Sequence, residues 1–409
     1  MKLNMIRRRA GARTGVLAAG AALSLLALSA CGGASSGSAS DAFTVGMVVS
    51  KTGPLSTYSA DWENGFRAGL DYLTQGKMEI DGKPIKLIEG DDTGDATVGS
   101  NVATNLLSDG AQVLVGPTSS PVALAVANLA IQNNVLFVAG DAGTTDLVGM
   151  DDRVFAPFGA ARSGNEIDAK IVGDVDGKTV ATIDPDYEFG QTQAAGVKAV
   201  LEPLGATVKS FLEPTDTADF TTVAQKVAKP HPDFVTTSWL APGQLQLYRA
   251  LAAQGVFKES HLYAALMKSD SFKTIAESLG NFVNDTRFSI AYFPGATGNE
   301  QDLALQKYGK AHKHTVEYDD SMGWTAAEIV YHALTNGDAS DGESLAKTVK
   351  DWSFTGPQGE VQIRGKDNQI ILPRFSVKLT KQNGQWGPKL VKAVPASELV
   401  PPVVKAIGQ

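Results

Sequence analysis

One pattern restricts this chain more than any other. From residue 43 to residue 264, short apolar runs alternate with segments that are apolar on one helical face. The runs at 43–49, 85–88, 113–115 and 136–138 read as buried strands. Between them, Trp62, Phe66, Leu70 and Leu73 share a helix face behind Asp61, and Val98, Val102 and Leu106 share another behind Asp95, stopped by Gly110. A second series follows: helix 165–172, strand 179–183, helix 190–204, strand 207–211, helix 221–227, strand 234–237, helix 244–254 and strand 261–264. Alternation of this kind builds parallel sheets with right-handed crossovers, and two series predict two α/β lobes. After Tyr292-Phe293-Pro294 the chain is mainly helical, at 301–310, 322–334 and 344–349, with short strands at 361–363 and 375–379. A tail so poor in elements completes both lobes rather than forming a third. The chain then crosses between lobes several times, which makes a hinge.

Residues 113–127, VLVGPTSSPVALAVA, show what one unit of the pattern offers. Val113, Leu114 and Val115 form the strand, and Gly116-Pro117 ends it. Ser119 and Ser120 stand before Pro121, and proline is favoured at the first helical position, so Ser120 is the expected N-cap. The helix runs on through Val122, Val126 and Leu129. Such a helix start presents unpaired N–H groups and the positive end of its dipole. In open α/β sheets, ligands sit past the carboxyl ends of strands. Thr118, Ser119 and Ser120 therefore either hold a small carboxylate or, more simply, Ser120 only caps its own helix.

The first thirty residues read as an export signal rather than as fold. Arg7, Arg8, Arg9 and Arg13 make a basic head, and 16–28 is an apolar core too short for a comfortable membrane span. Leu28-Ser29-Ala30-Cys31 resembles the lipobox of bacterial lipoprotein signal peptides. The resemblance implies cleavage before Cys31, a diacylglycerol on its sulfur, and anchorage to the outer face of the cytoplasmic membrane. Residues 32–40, GGASSGSAS, read as a flexible tether. Arg7-Arg8 leaves the twin-arginine and general secretory routes both open. Cys31 is the only cysteine, so the mature part has no disulfide and depends on its core, which about 370 residues can supply in two lobes. The chain holds 36 Lys+Arg and 44 Asp+Glu; the first thirty residues carry five of the bases and no acid, so their removal takes the net charge from −8 to −13. That balance argues against a nucleic-acid partner.

Signatures of catalysis are weak. Lys51-Thr52-Gly53 and Ser344-x-x-Lys347 share residues with serine β-lactamase motifs, but in reversed order, and Ser269-Asp270-Ser271 is not the middle motif. From residue 43 onward there is no Gly-x-Ser-x-Gly elbow and no phosphate-binding glycine loop with a lysine. His312 and His314 lack the spacing of a zinc-binding helix, and Asp91, Asp92 and Asp95 lack EF-hand order. No catalytic residue, cofactor or metal is expected.

Several segments, in order, resemble the type I periplasmic solute-binding proteins of ABC importers, in the branched-chain amino acid receptor group. Residues 46–55, GMVVSKTGPL, are similar to that family's first strand and Thr-Gly-Pro loop; 65–70, GFRAGL, to its first helix; 89–96, EGDDTGDA, to its acidic loop. Val115-Gly116-Pro117-Thr118-Ser119-Ser120 is similar to its Gly-Pro-x-Ser-Ser turn, 184–190, DPDYEFG, to its second-lobe Asp-x-x-Tyr-Gly segment, and Thr355-Gly356-Pro357 to its late Gly-Pro crossing. The resemblance implies two Rossmann-like lobes with parallel central sheets joined by a multi-strand hinge, closure on a ligand, and no enzymatic activity. It implies delivery of the ligand to a membrane permease by a monomer. A ligand-sensing lipoprotein on the same fold is the alternative, and a secreted hydrolase ranks below both. The expected division is 1–30 signal, 31–42 tether, 43–158 with 293–356 as lobe one, 159–292 with 357–392 as lobe two, and 393–409 as tail.

The resemblance also implies site residues. Ser120 falls on the family's carboxylate-binding serine, which makes it a ligand contact as well as a cap. Asp141 or Ala142, and Gly143 or Thr144, fall on a second carboxylate turn with a one-residue slip between the two registers. Tyr58 falls on an aromatic that closes over the ligand. Phe189 stands where the family has a tyrosine, for which Tyr187 is the possible substitute, and Trp239 or Leu240 falls on a second-lobe contact. Core packing is the alternative for these aromatics. One departure matters: amino-acid receptors of this family place an acid after the strand matching 261–264 to pair the ligand's ammonium, and this chain has Ala265-Leu266-Met267-Lys268. Either Asp141 or Asp270 supplies that charge, or the ligand has no α-amine. The expected ligand is a carboxylate with an apolar or aromatic body.

Overall fold

The apolar runs of the first series pair as one sheet. β1 (Phe43–Val49), β2 (Glu79–Ile80), β3 (Lys83–Asp91), β4 (Val113–Val115), β5 (Leu136–Val138) and β6 (Val154–Phe155) lie in the order β2-β3-β1-β4-β5-β6, parallel except for the β2–β3 hairpin. Strand β1 sits in the middle and is buried along six of its seven residues, as expected of a strand covered on both faces. The crossovers are α1 (Ser56–Leu73), α2 (Ala96–Ser108) and α3 (Ser120–Gln132). The computed structural model describes residues 42–156, 174–240, 243–265, 268–399, 403 and 405–408. The signal segment, Cys31, the tether up to residue 41 and the predicted helix 165–172 lie outside the described residues.

The second series gives the second lobe. Its sheet is ordered β16-β15-β11-β10-β9-β7-β8, from β7 (Thr179–Pro185), β8 (Thr207–Glu213), β9 (Phe234–Thr237), β10 (His261–Ala265), β11 (Arg287–Ile290), β15 (Arg374–Gln382) and β16 (Gln385–Val394). Helices α4 (Glu188–Leu201), α5 (Thr221–Ala228), α6 (Gly243–Ala253) and α7 (Phe272–Leu279) make its connections. The pairs from β8 to β11 are parallel, and β15 and β16 join antiparallel. The sequence reading had no strand at β16. Asn383 and Gly384, both at positive φ, turn the chain between β15 and β16, and an Asn-Gly pair between extended runs is a strong hairpin signal. Pro388 and the exposed lysines of β16 hid it, and both are tolerated because the strand lies on a sheet edge.

Between these sheets the chain returns to lobe one as α8 (Glu300–Ala311), α9 (Tyr318–Asn336) and α10 (Gly342–Val349). A small antiparallel sheet follows: β12 (Ser353–Gly356), β13 (Gly359–Arg364) and β14 (Gln369–Ile371). It leans on lobe one, where Asn368 Nδ2 donates to the carbonyls of Asp151, Asp152 and Val154 at 3.2, 2.8 and 3.3 Å. Helix α9 starts at Tyr318, four residues before the predicted 322. Its polar first turn looks like loop in the sequence, yet Glu317 and Asp320 form a capping box there.

Helices α1 and α9 touch backbone to backbone. A Cβ on Gly65 would stand 1.9 Å from the Asp320 carbonyl oxygen, one on Gly323 1.9 Å from that of Trp62, and one on Gly69 2.7 Å from Ala327 Cβ. Trp62 and Phe66 stack at 5.3 Å beside the crossing and are fully buried. Gly65→Ala or Gly323→Ala should force the helices apart and cost about 1–3 kcal/mol or more. Thermal unfolding checks this: an unchanged midpoint in both variants would contradict the contact.

Candidate functional site

The site is built where β4 and β5 end side by side. Gly116, after β4, takes φ +108°, and a Cβ on Gly140, after β5, would lie 2.4 Å from the Gly116 carbonyl oxygen. Glycine at both positions lets the two turns touch. The turns thereby bring Thr118 and Ser120 to the same cleft as Asp141 and Gly143. Ser119, not Ser120, is the N-cap of α3; its hydroxyl points to the Gly94 carbonyl at 3.4 Å, and Ser120 is the first helical residue. The sequence could not separate two adjacent serines before a proline.

The cleft has an empty volume of about 400 Å³ including its mouth. Leu55, Tyr58, Thr118, Ser120, Asp141, Gly143 and Asp319 line it from lobe one, and Tyr187, Phe189 and Leu240 from lobe two. Of the residues singled out in the sequence, Tyr58, Thr118, Ser120, Asp141, Phe189 and Leu240 are thus together. Ser119, Ala142, Thr144 and Trp239 are not in the lining. Ala142 packs into the lobe-one core. Thr144 caps a short turn through Asp146 N–H and donates to Glu188 across the lobes at 3.3 Å. Trp239 faces the lobe-two core, edge-on to Phe220 at 4.9 Å. Asp141 and Gly143 face the cleft while Ala142 and Thr144 do not, so the turn exposes alternate residues. Leu55 and Asp319 were missed: Leu55 looks like loop filler, and Asp319 sits on a helix start misjudged by four residues.

Asp141 and Asp319 dominate the electrostatics. Both are buried, and among the described residues no donor outside the pair reaches any of their oxygens. Burial pushes Asp141 up to about 7, and burial with the neighbouring Asp141 carboxyl pushes Asp319 far above the usual carboxylate range. The two face one another, and a hydrogen bond between them requires one proton shared by the pair. Burial, with Asp319 and Asp270 nearby, also raises the Tyr58 hydroxyl above its ordinary range.

Lys268 ends the loop after β10, on the lobe-two side. Its Nζ pairs with Asp61, donates to Thr57 O at 3.2 Å, lies over the Tyr58 ring at 5.0 Å and is 4.0 Å from Asp319. Ser269 donates its N–H to Glu317 at 2.9 Å and its hydroxyl to the same carboxylate. Asp270 is exposed and outside the cleft lining. Asp61, His314 and Asp320 bring three ligand-type atoms within 4.8 Å of one another. That group is already balanced, since Lys268 holds Asp61, and His314 and Asn64 hold Asp320 at 3.0 and 2.6 Å.

Two lobes of parallel-rich α/β structure with a polar-and-aromatic cleft between them invite comparison with known proteins. The family described as Periplasmic binding protein matches residues 42–385. This chain belongs to that family. It is 29% identical over 197 residues to the Leu/Ile/Val-binding protein BraC3 of Rhizobium johnstonii, covering 47% of this chain and 53% of that protein. The match thus spans about half the length of that relative. It is 27% identical to Leu/Ile/Val-binding protein homolog 2 of Brucella abortus over 80% of this chain and 88% of that one. The fold is that of the solute binding protein of an ABC transporter from Rhodopseudomonas palustris BisB5, solved in complex with 3,4-dihydroxy benzoic acid: TM-score 0.74, 22% identity, 88% of this chain and 99% of that one.

The buried acids of this periplasmic binding protein set its pH profile. Asp141 at about 7, Glu328 at about 7 and Asp184 at about 6, all raised by burial, hold protons in the folded state that an unfolded chain would release near pH 4. The folded state therefore binds more protons across that window, and stability falls as pH rises through it. His314, raised by its bond to Asp320, acts in the same direction at higher pH. The thermal midpoint should drop by at least about 4 °C between pH 5 and pH 8, and Asp319→Asn should remove much of the drop. Differential scanning calorimetry across pH reads this directly; a midpoint that rises would refute it.

Proposed function

We propose that this protein is an exported receptor that captures a small carboxylate-bearing solute, an amino acid or an aromatic or aliphatic acid, between its lobes and hands it to the permease of an ABC importer. The observation that carries the reading is the cleft itself. Thr118 presents a buried hydroxyl without a protein partner, Ser120 stands at the start of α3, and Leu55, Tyr58, Tyr187, Phe189 and Leu240 supply apolar walls. A hydroxyl pair at a helix start suits an anionic head group, and such walls suit an apolar or aromatic body. The names of the relatives, which bind leucine, isoleucine and valine or were solved with a benzoic acid, fit the same chemistry. Capture requires that the solute favour the closed lobes over open ones, since equal affinity for both would shift nothing. The cleft draws its walls from both lobes, so a solute seated in it contacts both at once.

The receptor acts outside the cytoplasm, held to the membrane through a lipid on Cys31 and working as a monomer. Cys31→Ser should release it from the membrane fraction into the medium or periplasm, with loss of labelling by a palmitate analogue. Membrane retention of that variant would refute the anchor. Native mass spectrometry of the purified protein should reveal a retained carboxylate. Ser120→Ala should weaken its binding by about 1–3 kcal/mol in isothermal titration. Affinity unchanged in Ser120→Ala would exclude the proposed head-group site.

A further inference from the structure

The cleft contains two acids for which the described residues provide no donor other than each other. Asp141 follows β5 and Asp319 lies in the first turn of α9; Asp319 is fully buried, Asp141 is 8% exposed, and both reach the cleft. Among the described residues, no donor outside the pair itself reaches any of their four oxygens. A buried carboxyl in that state is costly, and a second one beside it more so. The charged groups around them do not resolve the cost. Lys268, 4.0 Å from Asp319, is engaged with Asp61. His314 is held by Asp320, next in the chain, and adds no donor to the pair. Tyr318 is close enough to feel both acids and bonds to Arg374, and Tyr58 of α1 lines the same cleft.

We propose that Asp141 and Asp319 together receive a cationic nitrogen of the solute, so that the ligand is a small ammonium-bearing molecule with an apolar or aromatic body. The proposal rests on the reading of the cleft as the solute site. An ammonium brings three donors and a positive charge, and it satisfies oxygens on both acids at once. A neutral hydroxyl brings one donor and no charge. A carboxylate placed against the pair would be repelled, so the acid end of the ligand belongs at Thr118 and Ser120 and the nitrogen at the pair. The counter-charge for the nitrogen thus comes from lobe one, from the β5 turn and α9. The end of β10 in lobe two carries Lys268 instead. In the empty protein a shared proton stands in for the ligand. The ammonium displaces that proton, so binding releases it and strengthens as pH rises through neutrality.

The test is isothermal titration of the mature protein with matched probes, near pH 6 and near pH 8. They are leucine and phenylalanine, the deaminated acids 4-methylpentanoate and 3-phenylpropanoate, and the decarboxylated amines 3-methylbutylamine and phenethylamine. The expected result is that one amino acid binds at least about tenfold tighter than its deaminated partner, that its affinity rises with pH by up to about tenfold per unit below neutrality, and that its heat depends on the buffer's ionisation enthalpy. Asp319→Asn, with Asp141→Asn as a second variant, should cost the amino acid about tenfold or more and leave the deaminated acid within about threefold. Circular dichroism establishes that each variant is folded. Deaminated acids that bind as tightly as the amino acids, or affinity that falls with pH, would overturn the proposal while leaving the carboxylate reading intact. Amines that bind without the acids would support the proposal and remove the carboxylate reading. Binding by no probe in the panel would overturn both.

Discussion

The backbone contact between α1 and α9 is the constraint on which the site depends. Gly65, Gly69 and Gly323 let two helices far apart in sequence approach until carbonyls and α-carbons touch. A pair of helices held that close has almost no freedom to slide, because interiors pack at crystal density. The contact fixes the first turn of α9 beside the middle of α1. Tyr58 and Asp61 on one helix, and Asp319 and Asp320 on the other, therefore meet at the lobe boundary. Asn64 Nδ2 donating to Asp320 at 2.6 Å locks the same register from the side. Side chains of larger size at those glycines would displace the acids relative to Ser120 and Thr118, which are fixed independently by the Gly116–Gly140 contact.

Lobe two is tied to this frame by charge. Lys268 reaches Asp61 and Thr57 of α1, and Ser269 reaches Glu317 at the α9 cap. Thr144 to Glu188 adds a polar contact on the other side of the cleft. Such links are nearly shielded from water: the Lys268 and Asp61 side chains are 14% and 12% exposed. A buried ion pair gives little net stability once desolvation is counted, yet breaking one side leaves an unpaired charge. The clasp therefore specifies one placement of the two lobes rather than adding much to stability. Separating these groups would hydrate Lys268, Asp61 and Glu317 together.

The sequence revealed most of the architecture because two periodicities carried it. Runs such as 43–49 and 113–115 have no polar face, so only a covered parallel strand suits them, and the helices between them show their buried stripe plainly. The turn at 116–120 was legible because glycine, proline and serine each act locally. What escaped depended on tertiary context. Asp319 looks like one acid among several in a polar segment, and nothing in its neighbours says that α1 will seal it from water. Trp239 and Leu240 are adjacent, and only the packing of Phe220 against Trp239 decides which of them turns to the cleft. Lys268 stood out in the sequence as a departure, but its partner Asp61 is more than two hundred residues away and carries no local mark. The helix face expected behind Asp61 belongs to α1, which begins earlier, at Ser56, and contains Asp61.

Two neighbouring reversals of charge belong together. Lys268, after β10, places a cation at the lobe boundary, and the first lobe presents two acids that have only each other as donor among the described residues. A lysine there with no acid opposite would leave an unpaired buried ammonium. Lys268 is occupied by Asp61, so it neutralises the boundary without filling the hydrogen-bonding needs of Asp141 and Asp319. Those needs remain unmet inside an otherwise well-packed lobe. Natural cores seldom leave buried carboxyl groups without donors, so a pair of them on a cleft wall calls for an explanation. The destabilisation at Asp141 and Asp319 is thus local, confined to the cleft wall, while the glycine contacts around it hold the geometry that a bound molecule would complete.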